Sequence, residues 1–219
     1  MIGGPKLNQR GDEPEDTSLT LATWADELRA MAALGLLYTT DSYDRERYTR
    51  IQQIADAMIG RLSGRAMEEI RPLLAADVGY VTVKVGVAAA TFDREGRILL
   101  VRRRDNGLWA MPGGWADVGD TPAAMTAREV WEETGLTVSV DRLLGIYDSR
   151  QRNFRHPHQI YHLVFLCTPQ AGTPVQTDET LDVSWFTADA LPDLSPGHQD
   201  PVRDAFRAIA DPLLPAIFD

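Results

Sequence analysis

Glu129, Glu132 and Glu133 stand at i, i+3 and i+4, a spacing that places their carboxylates on one face of a helix. Carboxylates held together repel, and each raises the pKa of the others unless cations neutralise them. An all-oxygen donor set of this kind selects Mg²⁺, Mn²⁺ or Ca²⁺ over zinc. Taken alone, such a triplet is more commonly a solvated helix face on which Arg128 makes weak surface pairs. The residues before it change that balance. Met111-Pro112-Gly113-Gly114 joins a rigid proline to two glycines, which permits a turn and a close approach of a main-chain carbonyl to a metal or phosphate. From Gly114, five residues lead to Asp120 and seven more to the run Arg128-Glu129-Val130-Trp131-Glu132-Glu133-Thr134-Gly135-Leu136. Six fixed identities at ordinary usage coincide by chance on the order of 10⁻⁸ times per start position.

A helix over residues 122–134 must hold these groups. Asp120 or Thr121 can cap it, Pro122 suits the first helical position and Gly135 the stop. Ala123, Ala127, Val130 and Thr134 fall roughly opposite the glutamates, where a sheet can cover them. Strands are expected at residues 80–92 and 97–104, on either side of the turn Asp93-Arg94-Glu95-Gly96, and again at 136–147, 158–168 and 182–186. A closing helix is expected over residues 201–210. Upstream the texture is helical. Leu21, Trp24, Leu28, Met31 and Leu34 form one stripe that Gly35 is placed to end, and Tyr48, Ile51, Ile54, Ala55, Met58 and Leu62 form a second between Asp41-Ser42 and Ser63-Gly64. A short third helix is expected over residues 65–74, with Pro72 near its end. The chain therefore divides into a tail over residues 1–18, an all-helical unit over 19–77 and a mixed unit over 78–219. Strands mixed with helices, too few for a regular βαβ series, predict an α/β (α+β) fold with a mixed sheet between helical layers.

The run from Gly114 to Leu136 resembles the box of the Nudix hydrolase family: Gly, five residues, Glu, seven residues, then Arg-Glu-aliphatic-any-Glu-Glu-any-Gly-aliphatic. Each fixed position matches except Asp120, one methylene shorter than the family's Glu, which leaves open whether it reaches a metal directly, through water or not at all. The resemblance implies an α/β/α sandwich and a Mg²⁺ site, with Mn²⁺ as a substitute. The ligands it implies are Gly114, Asp120, Glu129, Glu132 and Glu133, with Arg128 orienting a glutamate. It also implies hydrolysis of a diphosphate bridge, in which Glu129 or Glu179 accepts the proton of the attacking water. The stretch Trp115-Ala116-Asp117-Val118-Gly119, the helical unit with Tyr38 and residues 41–48, and the His156-Pro157 loop look like a subgroup typified by CDP-choline pyrophosphatase. That likeness implies a homodimer joined through the N-terminal helices, and CDP-choline as substrate. An ADP-ribose pyrophosphatase is the alternative enzyme, and a non-catalytic nucleotide sensor is the alternative of another class.

Substrate contacts are sought among Arg102 and Arg104 on one strand face, Arg152 in the loop it shares with Arg150 and Arg155, His156, and Tyr161. Trp109 and Trp115 join Tyr161 as rings able to stack on a base or cover an ammonium. His156 and His158 have no cysteine beside them, which disfavours zinc. Cys167 lies in an apolar run and reads as a small buried side chain. Composition sets the remaining bounds. With 44% hydrophobic and 25% charged residues among 219, the chain has a globular composition. Nothing in residues 1–18 resembles a signal peptide, so a cytoplasmic, membrane-free protein is expected. The formal charge of −10 disfavours a stable complex with nucleic-acid backbone.

Overall fold

The computed structural model describes residues 17–75, 81–117, 119–151 and 156–219. The boundary expected near Asp77 and the candidate Arg152 lie outside them. Three helices come first: α1 (Thr17–Tyr38), α2 (Ser42–Ser63) and α3 (Met67–Ala75). Strands β1 (Lys84–Thr91), β2 (Ile98–Arg103), β3 (Trp109–Ala110) and β4 (Gly113–Trp115) follow. Helix α4 (Pro122–Thr134), strands β5 (Thr137–Asp148), β6 (Ile160–Ala171) and β7 (Thr180–Phe186), helix α5 (Gln199–Ala210) and strand β8 (Ile217–Phe218) complete the order. A five-stranded sheet runs β4-β1-β6-β5-β8 and a three-stranded sheet β3-β2-β7. Pairs β1–β6 and β5–β8 are parallel and the rest antiparallel, so the mixed sheet expected from the sequence is present. The short strands β3, β4 and β8 extend the expected set.

Period-two alternation explains how the sheet serves two helices. Ala88 and Ala90 of β1 pack in a cluster with Val202, Ala205 and Ala208 of α5. Ala89, between them, packs with Val130 of α4, Leu136 and Cys167. Small residues on β1 thus let helices cover both faces. Helix α4 has the expected span and caps: Thr121 Oγ1 accepts from Ala124 N, and Gly135 closes it at φ 69. Its buried residues are Met125, Thr126, Val130 and Thr134, whereas Ala123 is exposed and Ala127 half-buried.

In the N-terminal unit the periodicity is right but the buried face of α1 is not the expected one. Ala22, Ala25, Arg29, Ala32 and Ala33 are buried, while Trp24 and Met31 are 54% and 57% exposed. Small side chains let α1 and α2 approach closely. Gly35 lies inside α1 instead of ending it, because a Cβ there would stand 2.5 Å from the Tyr48 ring of α2. Helix α2 keeps its expected limits, with Asp41 accepting from the first amides and Gly64 closing it at φ 68. Arg29, buried, binds Asp56 at 3.2 Å and the Leu74 carbonyl, tying α1, α2 and α3 together.

Arg150 performs the same task between the two units. It is 5% exposed, donates to Asp26 of α1 at 2.8 and 3.0 Å, and donates to the His156 carbonyl at 2.9 Å. Burial outweighs Arg150 at Asp26, whose carboxyl sits above its usual range, so the pair specifies a docking geometry more than it stabilises the chain. Arg150→Met leaves Asp26 buried without its partner, and urea denaturation is expected to register a loss of about 3–5 kcal/mol. A loss under about 1 kcal/mol would mean that the two units are held together by other contacts.

Candidate active site

A cavity of about 540 Å³ opens beside α4, lined on its floor by Gly86, Val87, Ala88, Ile160, His162 and Val164. Glu133 and Glu179 reach it, together with the Gly113–Gly114 backbone. The glycines are required by close approach. A Cβ on Gly113 would collide with the Val87 carbonyl oxygen and lie 2.8 Å from Ala88 Cα. A Cβ on Gly114 would stand 2.6–2.8 Å from the Glu129 carboxylate. Strand β4 is thereby seated on β1, and its backbone reaches α4. Gly113 N–H donates to Glu133 Oε2 at 3.0 Å.

Glu133 is pushed up to about 8, chiefly by burial and then by the Glu129 and Glu179 charges, against the Gly113 hydrogen bond and Arg103. Glu129 is also raised, first by burial and then by Glu132. Glu179 stands next to a strap, in which the Thr177 and Thr180 hydroxyls both donate to the Glu133 carbonyl at 3.3 Å. That strap also satisfies carbonyls left open at the end of α4, since Val175 N–H donates to Thr134 O at 2.9 Å.

Other expected residues are placed differently. Arg128 binds Asp117 at 2.7 Å and Asp120 at 2.9 Å, with Glu132 at 3.5 Å. Asp120, Arg128 and Glu132 form a cluster beside the cavity and do not line it, because the shared guanidinium holds all three acids on its own side. Arg102 turns away to the Gly107 carbonyl at 2.9 Å. Period-two alternation puts Val101 and Arg103 on the cavity face of β2 and Arg102 on the other, and Arg104, in the turn past the end of the strand, reaches the cavity as well. Arg103 is held by Asp105 at 2.9 and 2.7 Å. Tyr161 is 40% exposed and lies outside the cavity lining, since Ile160, His162 and Val164 occupy the cavity face of β6. Trp109 packs edge-on against Phe186.

His156 and Trp115 do reach the cavity, with ring centroids 5.5 Å apart. Burial pushes His156 down to about 4. Sequence reasoning did not find His198, whose Nδ1 accepts from Met111 N–H at 3.3 Å and which burial pushes down to about 3. Position 198 is brought in by the bridge of Leu194 to Trp109 on β3, a pairing without a local sequence signal. Arg65, from the corner between α2 and α3, was also missed.

Among the described residues no three His, Cys, Asp or Glu side chains converge as a ready-made metal cage. The donors present nonetheless fit Mg²⁺. It is bound through one or two carboxylates and keeps several waters, and Glu129, Glu133 and the Gly114 backbone supply hard oxygen only. The raised Glu133 carboxyl points the same way, because its ionised form lacks a cation within the protein strong enough to offset burial.

A mixed sheet between helices thus carries an acidic helix laid against a glycine pair, with hard oxygen donors beside closely approaching backbone. Residues 82–206 match the model of the NUDIX domain, and residues 20–74 match that of the UDP-X-like, N-terminal oligomerisation domain. The chain belongs to the Nudix hydrolase family. Over 200 residues it is 36% identical to the putative ADP-ribose pyrophosphatase YjhB of Bacillus subtilis (strain 168), covering 89% of this chain and 95% of that one. A solved UDP-X diphosphatase is 28% identical with a TM-score of 0.58, over 92% of this chain and 99% of the other. An ADP-ribose pyrophosphatase from Streptococcus suis 89-1591 is 32% identical with a TM-score of 0.57, over 63% of this chain and 100% of that one.

The site generates two predictions. Between the ordinary value of 4.5 and about 8, the folded metal-free protein holds a proton on Glu133 that the unfolded chain has released, so its stability falls as pH rises through that window. Glu133→Gln cannot ionise. In chelator it is expected to melt above the wild type at pH 8, by roughly 5 °C, and to converge with it near pH 4.5. With Mg²⁺ its turnover is expected to fall by orders of magnitude. A wild-type melting curve at pH 8 would remove the case for a strained carboxylate. Gly114→Ala is expected to displace the flexible Glu129 carboxylate while sparing the sheet, lowering kcat about tenfold or more with little change in melting temperature. Unchanged kcat would show that the position of Glu129 does not matter.

Proposed function

We propose that this protein is a Mg²⁺-dependent hydrolase of nucleoside diphosphates joined to a sugar-like moiety, producing a nucleoside monophosphate and a phosphorylated X. The observation that carries the reading is the meeting, in one cavity, of Glu133 and Glu179 from the acid side with Arg103 from the opposite strand. A divalent ion, when bound there, would neutralise the diphosphate and lower the pKa of a water. The chain's own groups divide the remaining work. Glu133, fixed by Gly113 N–H, would hold the ion from α4. Arg103 faces Glu133 and offsets charge on the phosphates. Glu129, already raised in pKa, or Glu179 takes the water's proton. The neutral His162 and His198 keep the floor of the cavity uncharged.

The sugar preference comes from what lines the two ends. Recognition of choline calls for aromatic faces around its ammonium. Among the described residues the lining offers Trp115 as its one ring besides the imidazoles, while Arg103 and Arg104 add positive charge. That environment disfavours the CDP-choline expected from the sequence and favours a neutral or anionic X, in keeping with the ADP-ribose and UDP-X names of the relatives. The exposed Trp24 and Met31 on α1, within the region matching an oligomerisation domain, support a homodimer. No helix among the described residues is long and apolar enough to cross a membrane, and a cytoplasmic setting without nucleic-acid partners completes the reading.

The experiment is a comparison of UDP-glucose, ADP-ribose and CDP-choline at one Mg²⁺ concentration, with products read by mass. The sugar derivatives are expected to exceed CDP-choline in kcat/KM by about tenfold, a preference of about 1.4 kcal/mol. CDP-choline ahead by tenfold would overturn the charge argument. Tight binding without turnover of any of the three would favour the sensor instead.

A further inference from the structure

The two ends of the cavity differ in chemistry, and one of them is completed by the N-terminal unit. Arg65 lies in the corner between α2 and α3, where Gly64 at φ 68 turns the chain out of α2. It lines the cavity beside His156 and Trp115. Its place there is set by the neighbouring contacts of Arg150, which holds α1 through Asp26 and the His156 carbonyl with the same guanidinium. Among the described residues Arg65 has no ion-pair or hydrogen-bond partner, in contrast to Arg103, which Asp105 holds in two bonds. Trp115 is 48% exposed and tilted against His156, whose Nδ1 accepts from His158 N–H at 3.1 Å. This end therefore offers a flat π surface and a donor-only guanidinium fork. The opposite rim carries Arg104, Asp105, Asn106 and Ser195, with Asn106 donating to the Ser195 hydroxyl at 3.1 Å. Mixed donors and acceptors without a ring suit a hydroxyl-rich moiety.

We propose that Trp115 and Arg65 form the nucleobase subsite, Trp115 by stacking and Arg65 as a specificity-determining residue that favours uracil and guanine, which carry a keto oxygen where cytosine and adenine carry an amino group. The inference rests on the nucleoside diphosphate–X reading and assigns the N-terminal unit a role in substrate choice. Physically, every base has a face that stacks on an indole. An arginine has five donors and no acceptor, so it pairs with O4 of uracil or with O6 and N7 of guanine. It meets the exocyclic amino groups of adenine and cytosine donor to donor. A base whose edge does not match leaves buried donors unpaired, which is where discrimination arises.

The test holds X constant and varies the base: UDP-, GDP-, ADP- and CDP-glucose, assayed with the full-length protein and Mg²⁺. The wild type is expected to favour UDP- and GDP-glucose by about tenfold in kcat/KM. Arg65→Ala is expected to remove that spread, raising KM for the uridine and guanosine compounds about tenfold while leaving ADP- and CDP-glucose within about twofold. Arg65→Lys is expected to restore part of the preference, since a lysine also donates without accepting. Unaltered melting temperatures establish that the variants are folded. An equal loss on all four substrates in Arg65→Ala would assign Arg65 to the diphosphate and overturn the proposal, as would an unchanged spread. A change confined to UDP-glucose against UDP-glucuronate would place Arg65 at X and overturn it too. Failure of the wild type to hydrolyse any of the four would instead refute the underlying reading of the enzyme.

Discussion

The hydrogen bond from Gly113 N–H to the Glu133 carboxylate joins the two elements on which the site depends. Helix α4 brings acids, β4 brings backbone, and neither has a function at a distance from the other. The bond lowers the pKa of Glu133, yet burial and the neighbouring Glu129 and Glu179 raise it further, to about 8. The site is thus held together by one favourable contact against a larger electrostatic cost. That cost is offset by packing on the other side of α4, where Val130 and Thr134 are fully buried and Val130 joins Ala89, Leu99 and Cys167. Both glycines follow from the same constraint, because any side chain on Gly113 would strike β1 and any on Gly114 would strike Glu129.

Three arginines show how one residue type is put to different uses by its surroundings. Arg29 and Arg150 are almost wholly buried, and each is tied to a carboxylate and to backbone carbonyls that the fold must satisfy. Removing either would leave buried acceptors and an unpaired acid, so these residues fix geometry. Arg128 stands at the surface among Asp117, Asp120 and Glu132. Its charge draws the shorter Asp120 into an ion pair at 2.9 Å, and Glu132 is held at the edge of the same cluster. A single cation there organises the loop before α4 and holds Asp120 and Glu132 beside the cavity, while the Glu132 charge still raises Glu129, which together with Glu179 raises Glu133.

Much of this was legible in the sequence, and the parts that were not have physical reasons. Local signals worked where local chemistry decides. Thr121, Pro122 and Gly135 delimit α4, and Asp41 and Gly64 delimit α2. The spacing of the glutamates and the glycine pair located the acid side of the cavity. Arg102 and Arg104 were expected on one face, but β2 ends at Arg103, so Arg104 leaves the alternation and joins Arg103 at the cavity while Arg102 turns to the Gly107 carbonyl. Hydrophobic periodicity chose the wrong face of α1, because close helix packing rewards small residues and the alanines took the buried side. Arg150 was legible as a basic loop residue but not as a bolt between units, since its partner Asp26 lies 124 positions away. His198 is likewise brought to Met111 across 87 positions by strand pairing.

The distribution of those successes follows from what each part of the site must do. Diphosphate chemistry requires acids at fixed mutual positions, and a single helix with its preceding loop satisfies that requirement within a short stretch of chain. Recognition of the rest of a substrate requires surfaces on both sides of the reacting bridge, which no contiguous segment can supply. Here those surfaces come from the end of β2 and the loop before α5 on one side, and from β4, the His156 loop and the N-terminal unit on the other. A box of this kind can therefore state the reaction while saying nothing about the substrate's ends. Those ends are set by how Arg150 docks the helical unit and how Leu194 pairs with Trp109. Shifting either contact would reshape one end of the cavity without moving a carboxylate, so substrate range can change while the hydrolytic centre stays as it is.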